Sequence, residues 1–162
     1  MDEQTFDDLY HASFRRLTGQ LYAQIGDLDE AQDCVQEAFA RAWSHRRSLD
    51  AAQQPEAWVR TTAYRLAVSR WRRTTLGRRP ADRAVGSAST SPAPSENHVA
   101  VVAALRRLPE DQRRALVLHH LADLTVADVA RELGAPEGTI KARLSRGRAA
   151  LVSLLDEGTA HA

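Results

Sequence analysis

The sequence contains little cysteine, little lysine and few aromatic residues. Its one cysteine, Cys34, excludes an internal disulfide bond and a thiolate-rich zinc site built by this chain alone. No apolar run approaches the roughly 18 residues that a membrane helix needs, and residues 1–8 are too acidic and polar for a signal peptide. These absences predict a cytoplasmic protein without membrane insertion. Hydrophobic residues make up 43% of the 162 residues, which is enough for a packed core.

Cys34 itself is best interpreted as a small buried apolar residue. A redox switch would need a stabilised thiolate, and the neighbouring carboxylates of Asp33 and Glu37 disfavour one. We therefore expect no thiol chemistry at this position.

The net charge of +1 conceals an uneven distribution of charge along the chain. Residues 60–83 contain eight arginines and one acid, and residues 137–148 contain four basic residues and one acid. Residues 27–37, in contrast, contain five acids and no base. Two basic clusters and one acidic stretch favour two nucleic-acid contacts and a separate protein contact. Solvated helix faces would give the same pattern, so charge alone does not decide between the two interpretations.

Helical periodicity runs through most of the chain, and no alternating pattern typical of a strand is present. The spacing predicts a first helix over residues 3–25, ending at Gly26, and a second helix that begins near residues 27–29. The second helix places apolar residues at the three-to-four spacing of a buried face. These residues are Leu28, Ala31, Val35, Ala38, Phe39 and Ala42. A loop is predicted over residues 47–54.

A change in composition divides the chain into two parts. Pro55 suits the first position of a third helix, in which Trp58 is interpreted as a core residue. Residues 77–97 then contain three prolines, two glycines and five serines or threonines, which is the composition of a flexible linker. The sequence therefore predicts an all-α fold with two small helical domains, residues 1–76 and residues 98–157.

The strongest motif is TVADVARELGAPEGTIKARLSRGR, residues 125–148. The predicted helices after the linker are 98–107, 109–121, 125–133 and 136–155. Thr125 is the expected cap of the third of these, with Asp128 at the capping-box position. Gly134 allows a left-handed turn, and Pro136 begins the last helix. This order is typical of a tri-helical helix-turn-helix that binds DNA.

The last predicted helix separates a buried face from an exposed one, because each residue advances about 100°. The buried stripe consists of Ile140, Leu144, Gly147 and Leu151. The opposite face and its flanks carry small and basic residues, which suit the floor and the phosphate walls of a major groove. The candidate DNA-binding residues are Gly138, Thr139, Lys141, Ala142, Arg143, Ser145, Arg146 and Arg148. We expect Ser145 and Arg146 to reach base edges, and the cations on the two flanks to hold phosphates.

Three segments resemble regions of bacterial RNA polymerase sigma factors. Residues 29–43, DEAQDCVQEAFARAW, resemble the polymerase-binding segment of region 2. Residues 57–73, AWVRTTAYRLAVSRWRR, resemble the promoter-melting and downstream-element segments that follow it. Residues 101–155, which include EGTIKARLSRGR, resemble region 4. No segment resembles regions 1.1 or 3, which is the pattern of the extracytoplasmic-function (ECF) group of the sigma-70 family and of its SigE-like members.

The resemblance implies a transcription initiation factor that binds core RNA polymerase and promoter DNA and catalyses no reaction. The β′ clamp helices would contact a face of the second helix, and the β flap would be a further polymerase contact. The residues of that face are Asp33, Gln36, Glu37 and Arg41. Region 4 would bind the −35 element. An anti-sigma factor is the implied regulator, because a chain of this size has no sensor domain.

The third helix and residues 48–55 would handle the −10 element. Opening DNA requires a pocket for an extruded base and cationic contacts to the backbone. The candidate residues are Arg60, Arg65, Ser69, Arg70, Trp71, Arg72 and Arg73. The sequence departs from the family at two of them. Many members have an asparagine at the position of Arg65 and an aspartate at the position of Ser69, so the preferred −10 sequence is open.

Two other classes of protein are compatible with parts of the sequence. A stand-alone helix-turn-helix regulator would need a dimerisation or sensor domain, and the first half has no ligand-pocket signature. An enzyme would need a cryptic site, because no nucleophile elbow, phosphate loop or HExxH motif is present. The six histidines are scattered, and His119 and His120 would face different directions on one helix. No metal or cofactor is therefore expected.

Overall fold

The computed structural model describes residues 1–49, 54–75 and 94–160, and for residues 159 and 160 it describes the backbone only. These residues are helical and include no strand, which confirms the all-α fold class. The elements are α1 (Glu3–Ile25), α2 (Leu28–Ser44), α3 (Pro55–Thr75), α4 (Glu96–Arg106), α5 (Glu110–Leu116), a π-helical turn (Val117–Leu121), α6 (Val126–Leu133) and α7 (Glu137–Ala160). Parts of two predicted segments, residues 50–53 of the loop and 77–93 of the linker, lie outside the described residues.

The helices group into two compact units. The first unit contains α1 as far as Leu21, together with α2 and α3, and the second contains α4 to α7 together with Tyr22–Gly26. Within the described ranges, no helix is both long and apolar enough to cross a membrane.

A glycine and an aspartate separate α1 from α2, as the sequence predicts. Gly26 has a φ of 75°, a left-handed conformation that favours glycine, and its N–H donates to the carbonyl of Tyr22 at 2.8 Å. Asp27 then caps α2, because its Oδ1 accepts the backbone N–H of Glu30 at 3.0 Å. The chain can therefore reverse direction here without leaving the helix ends unsatisfied.

Small side chains line the contact between α2 and α3 in the first unit. The buried residues of α2 are Ala31, Cys34, Val35, Ala38, Phe39 and Ala42. Val59, Ala63 and Ala67 are buried on α3, so the two helices can approach closely. Leu28, expected in this core, is only half-buried, and so is Trp58, whose ring centroid lies 5.8 Å from that of His45.

The second unit is built around α5 and α7. Its core includes Leu105, Leu116, Val129, Ile140 and Leu144. The sequence predicts one continuous helix over residues 109–121, but the structure ends the α-helix at residue 116 and continues it as the π-helical turn. A further difference lies at α4, which begins two residues earlier than predicted. The Ser95 side chain caps it by accepting the N–H of His98 at 3.2 Å.

Candidate DNA and polymerase interfaces

A cap, a left-handed turn and a proline place α7 relative to α6. The Thr125 hydroxyl accepts the backbone N–H of Asp128 at 3.1 Å and so caps α6. The Asp128 carboxylate itself binds Arg131 at 3.0 Å. Gly134 ends α6 with a φ of 64°, and Pro136 directly precedes α7. The predicted cap and turn are confirmed, and α7 begins one residue later than predicted, at Glu137. Together they give the geometry of a helix-turn-helix.

The buried stripe of α7 is also confirmed. Ile140 and Leu144 are 0% and 2% exposed, Gly147 is buried and Leu151 is half-buried. A Cβ atom on Gly147 would lie 2.9 Å from Cδ1 of Leu116 on α5. Glycine at this position therefore lets α7 pack directly against α5.

The opposite surface of α7 is open to solvent. The exposed candidates are Gly138, Lys141, Ser145, Arg146 and Arg148. Thr139, Ala142 and Arg143 are half-buried. The face away from the core thus carries small residues and cations together, which is the chemistry that a phosphate-lined groove requires.

Arg143 differs from the other cations of α7 because it has an acidic neighbour on α5. Its side chain is 26% exposed, and its Nε lies 3.5 Å from Oδ2 of Asp111. Both residues line an open cleft of about 430 Å³. The remaining lining residues are Glu110, Arg114 and Leu133. The sequence gives no sign of this role for Asp111, because an exposed acid in the first turn of a helix does not reveal a distant partner.

The two adjacent histidines lie in the π-helical turn, and their ring centroids are 4.9 Å apart in a T-shaped arrangement. His119 is half-buried and His120 is exposed, in agreement with the prediction that the two residues face different directions. His119 Nδ1 lies 2.8 Å from the carbonyl oxygen of Leu124. Desolvation, followed by the charges of His119 and Arg148, lowers the pKa of His120. Among the residues that the structure describes, no cluster of three or more candidate ligands could hold a metal ion.

The predicted polymerase-binding residues share one solvent-facing strip of α2. Asp33, Gln36 and Arg41 are exposed, and the side chain of Glu37 is 44% exposed. Arg41 Nε donates to Glu37 Oε1 at 3.3 Å, within a single turn of the helix. An ion pair this exposed contributes at most about 1 kcal/mol, so it can rearrange when a partner binds.

The C-terminal half of α3 exposes most of the predicted −10 residues. Trp71 is 64% exposed, and Arg65, Arg72 and Arg73 are also exposed. Ser69 is half-buried. An exposed indole ring on a helix that also exposes several guanidinium groups can stack on a base while the cations hold the backbone.

Arg60 is a correction to this predicted set. It is 9% exposed, lies with the buried face of α3 and interacts with another group of the protein. Because the guanidinium is removed from solvent and its charge is already engaged within the protein, a DNA phosphate has no access to it. The cationic surface of α3 therefore begins at Arg65.

Glu30 connects α2 to Arg70, another of the predicted −10 residues. Its Oε1 lies 3.4 Å from Nη1 of Arg70 and 3.6 Å from Sγ of Cys34. Cys34 is fully buried, as expected, and burial, with a smaller contribution from the nearby carboxylates, raises the pKa of its thiol to about 12. The thiol is therefore unreactive near neutral pH. Arg70 stays 37% exposed, so it can still contact a ligand.

The loop before α3 is only partly described. Leu49 is buried, and Gln54 has a φ of 51°, a left-handed conformation that is uncommon for a residue other than glycine. The predicted base pocket over residues 48–55 depends on residues 50–53, which lie outside the described residues.

Two all-helical units, one with an exposed basic and aromatic helix and the other with a helix-turn-helix, define a DNA-binding protein of the transcription machinery. The sequence matches the family model for sigma-70 region 2 over residues 3–76 and the model for sigma-70 region 4 over residues 98–151. It is 30% identical over 154 residues to the ECF RNA polymerase sigma factor SigM of Mycobacterium tuberculosis, covering 95% of this chain and 79% of SigM. The chain belongs to the ECF sigma factors of the sigma-70 family.

Other relatives agree with this assignment. The ECF sigma factor SigW of Bacillus subtilis is 25% identical, and the match covers 93% of this chain and 88% of SigW. The structure of the sigma factor RpoE of Bartonella quintana, in complex with the anti-sigma factor NepR, superposes with a TM-score of 0.77 at 27% identity. That superposition covers 94% of this chain and 98% of RpoE. CnrH, solved with the cytosolic domain of CnrY, has the same fold, with a TM-score of 0.70 at 22% identity.

Proposed function

We propose that this ECF sigma factor binds core RNA polymerase through α2, the −10 element through α3 and the −35 element through α7. The observation that carries the proposal is the two-sided character of α7. Its buried stripe seats the helix on the core, and the surface opposite that stripe exposes Ser145 and Arg146 between cationic flanks. A helix with this division can enter the major groove without losing its packing.

The proposed division of the chain follows the two family matches. Residues 1–76 form region 2, residues 77–97 form the linker and residues 98–157 form region 4. Matches over residues 3–76 and 98–151 support this division. The helical conformation of Glu96 and Asn97 moves the end of the linker two residues towards the N-terminus.

In region 2, the proposed contact with the β′ clamp helices uses the exposed strip of α2 that contains Asp33, Gln36, Glu37 and Arg41. The β flap is the proposed polymerase contact of region 4. The −10 surface is Arg65, Ser69, Arg70, Trp71, Arg72 and Arg73, with Arg60 removed because it is buried. The extruded base would be held by stacking and the backbone by the arginines.

In region 4, Arg146 and Ser145 are the proposed base contacts, and Gly138, Thr139 and Ala142 line the approach to the groove. Lys141, Arg143 and Arg148 lie on the flanks that face the phosphates. Loss of a bidentate arginine–guanine contact costs about 1–3 kcal/mol and relaxes the preference at one base pair. Loss of a phosphate contact weakens binding to all sequences and lowers the salt slope by about one unit.

Transcription from a promoter library with a randomised −35 element tests this assignment. We expect Arg146→Ala to change the preference of the holoenzyme at one position of the element. Arg148→Ala should lower transcription from all promoters without changing their ranking, and the decrease relative to the unmodified protein should shrink as the salt concentration rises, because the variant has the smaller salt slope. If Arg146→Ala lowers all promoters by the same factor, the proposed groove orientation of α7 is wrong.

We also propose that an anti-sigma factor regulates this protein by covering the same surfaces. The support is the relative from Bartonella quintana, which was solved in complex with the anti-sigma factor NepR. On this proposal the protein acts in the cytoplasm, where core polymerase is found, and catalyses no reaction. We also propose that it is SigE-like within the ECF group.

Crosslinking in cells tests the proposed regulation, and should recover a small protein bound to the chain under non-inducing conditions. Activity under all conditions, with no such protein recovered, would contradict the proposal.

A further inference from the structure

The four cations of α7 do not stand in the same environment. Lys141, Arg146 and Arg148 are exposed, whereas the side chain of Arg143 is only 26% exposed. Arg143 extends over the cleft between α7 and the first turn of α5. Its guanidinium therefore has fewer accessible directions than those of its neighbours on the same helix.

The acid that faces Arg143 is itself held in place. Oδ1 of Asp111 accepts the backbone N–H of Gln112 at 2.8 Å, and Oδ2 lies 3.5 Å from Nε of Arg143. One oxygen thus anchors the carboxylate to the backbone of α5 while the other faces the guanidinium. The position of the Asp111 carboxylate is therefore constrained by the backbone of α5.

An ion pair at Nε of an arginine has a specific consequence for recognition. A guanidinium has five N–H donors in a rigid fork, and an ion pair at Nε leaves the donors of the two terminal nitrogens available for a second ligand. A free arginine side chain loses about 2 kcal/mol of rotamer entropy when it is fully fixed. An arginine that is oriented before DNA binds loses less rotamer entropy on binding. Its contribution to binding then depends more strongly on which DNA group faces the guanidinium.

We propose that Asp111 is a positioning residue for promoter recognition, which orients Arg143 so that it contributes to −35 sequence preference. The inference rests on the proposed function of α7 and changes the role of Arg143 from a general phosphate contact to a directional one. A purely electrostatic role for Asp111 predicts a different outcome. Its negative charge would then weaken binding to all DNA sequences alike, and its removal would strengthen binding to all of them.

The test is transcription from the randomised −35 library by holoenzymes carrying Asp111→Asn, Arg143→Ala or both changes. We expect Asp111→Asn to reduce discrimination about two- to fivefold, the effect of losing one partly exposed ion pair. The reduction should occur at the same base pair that Arg143→Ala affects. The double variant should have the same preference as Arg143→Ala alone, because both changes remove the same contact.

Asp123→Asn is the matched control for charge. Asp123 is exposed, lies in the same unit and has a φ of 56°, a conformation that asparagine tolerates. The control should raise transcription from all promoters by one common factor. If Asp111→Asn has only this same effect, the inference is overturned. If Asp111→Asn fails to fold, Asp111→Glu replaces it. Because Asp111→Glu retains the negative charge, a changed −35 preference in this variant supports the positioning role of Asp111. An unchanged −35 preference overturns the inference. Absence of any −35 preference in the unmodified holoenzyme would instead refute the proposed function of α7.

Discussion

Replacement of Gly147 by alanine measures how closely α7 packs on α5. The new Cβ would lie 2.9 Å from Cδ1 and 3.2 Å from Cγ of Leu116, whose side chain is only 3% exposed. Because that side chain is enclosed by the core, relief of the contact requires a shift of α7 or of Leu116, and overpacking of this kind costs about 1–3 kcal/mol. Alanine also gains about 0.5–1 kcal/mol over glycine within a helix. We expect a net loss of about 1 kcal/mol in the free energy of unfolding of the second unit.

Gly158→Ala is the matched control on the same helix. A Cβ at this position meets nothing within 4 Å, so the substitution should maintain or raise stability, by up to about 1 kcal/mol. The two variants add the same methyl group to one helix, at a site where it meets Leu116 and at a site near the helix end where it meets nothing. A loss of stability in Gly147→Ala alone therefore points to the contact with Leu116.

Amide hydrogen exchange, read by mass spectrometry on peptides from α5 and α7, is a suitable assay because it reports local stability. Gly147→Ala should accelerate exchange in these peptides about fivefold, the equivalent of 1 kcal/mol. Peptides from α2 and α3 provide an internal reference. If amide exchange in α7 is as slow in Gly147→Ala as in Gly158→Ala, the close packing of α7 on α5 at Gly147 is refuted.

Two further predictions concern α2. Asp33→Lys and Glu37→Lys should each weaken binding to core polymerase, because reversing a charge at an interface costs up to several kcal/mol. Unchanged affinity in both would contradict the assignment, with Asp8→Lys on α1 as the control. Cys34 should resist alkylation in the folded protein near pH 8 and react readily in urea, because its thiol has a pKa of about 12 when buried. Folding favours the neutral thiol, so the contribution of Cys34 to the free energy of unfolding should be lost as pH rises from the pKa of the unfolded thiol, 9.0, towards about 12. Cys34→Ala should abolish this pH-dependent loss.

The boundary between α1 and α2 and both ends of α6 could be predicted because their causes are local. Gly26 with Asp27, and Thr125 with Gly134, specify a turn or a cap through the conformation of one residue or a hydrogen bond across one helical turn. The buried stripe of α7 follows from periodicity for the same reason. Such features need no knowledge of what packs against the helix.

The features that the sequence did not predict depend on distant neighbours. In the sequence Arg60 resembles the surface arginines that follow it, and only the packing of α3 shows that it is buried and interacts within the protein. Asp111 and Arg143 are far apart in the sequence, and neither has a pattern that identifies the other as its partner. The resemblance of residues 137–148, EGTIKARLSRGR, to the recognition helix of region 4 identified the surface, but the contacts of each side chain on it required the three-dimensional structure.

The π-helical turn Val117–Leu121 contains one residue more than the corresponding turn of an α-helix. The N–H of Ala122 donates to the carbonyl of Val117 at 3.1 Å, so this turn encloses one residue more than an α-helical turn would. Deletion of a single residue here would leave an α-helix intact, yet everything after it would rotate by about 100° and move by about 1.5 Å. Because α6 and α7 follow this point in the chain, insertions and deletions at residues 117–121 would change where the recognition helix points while every residue on its DNA-facing surface stayed the same.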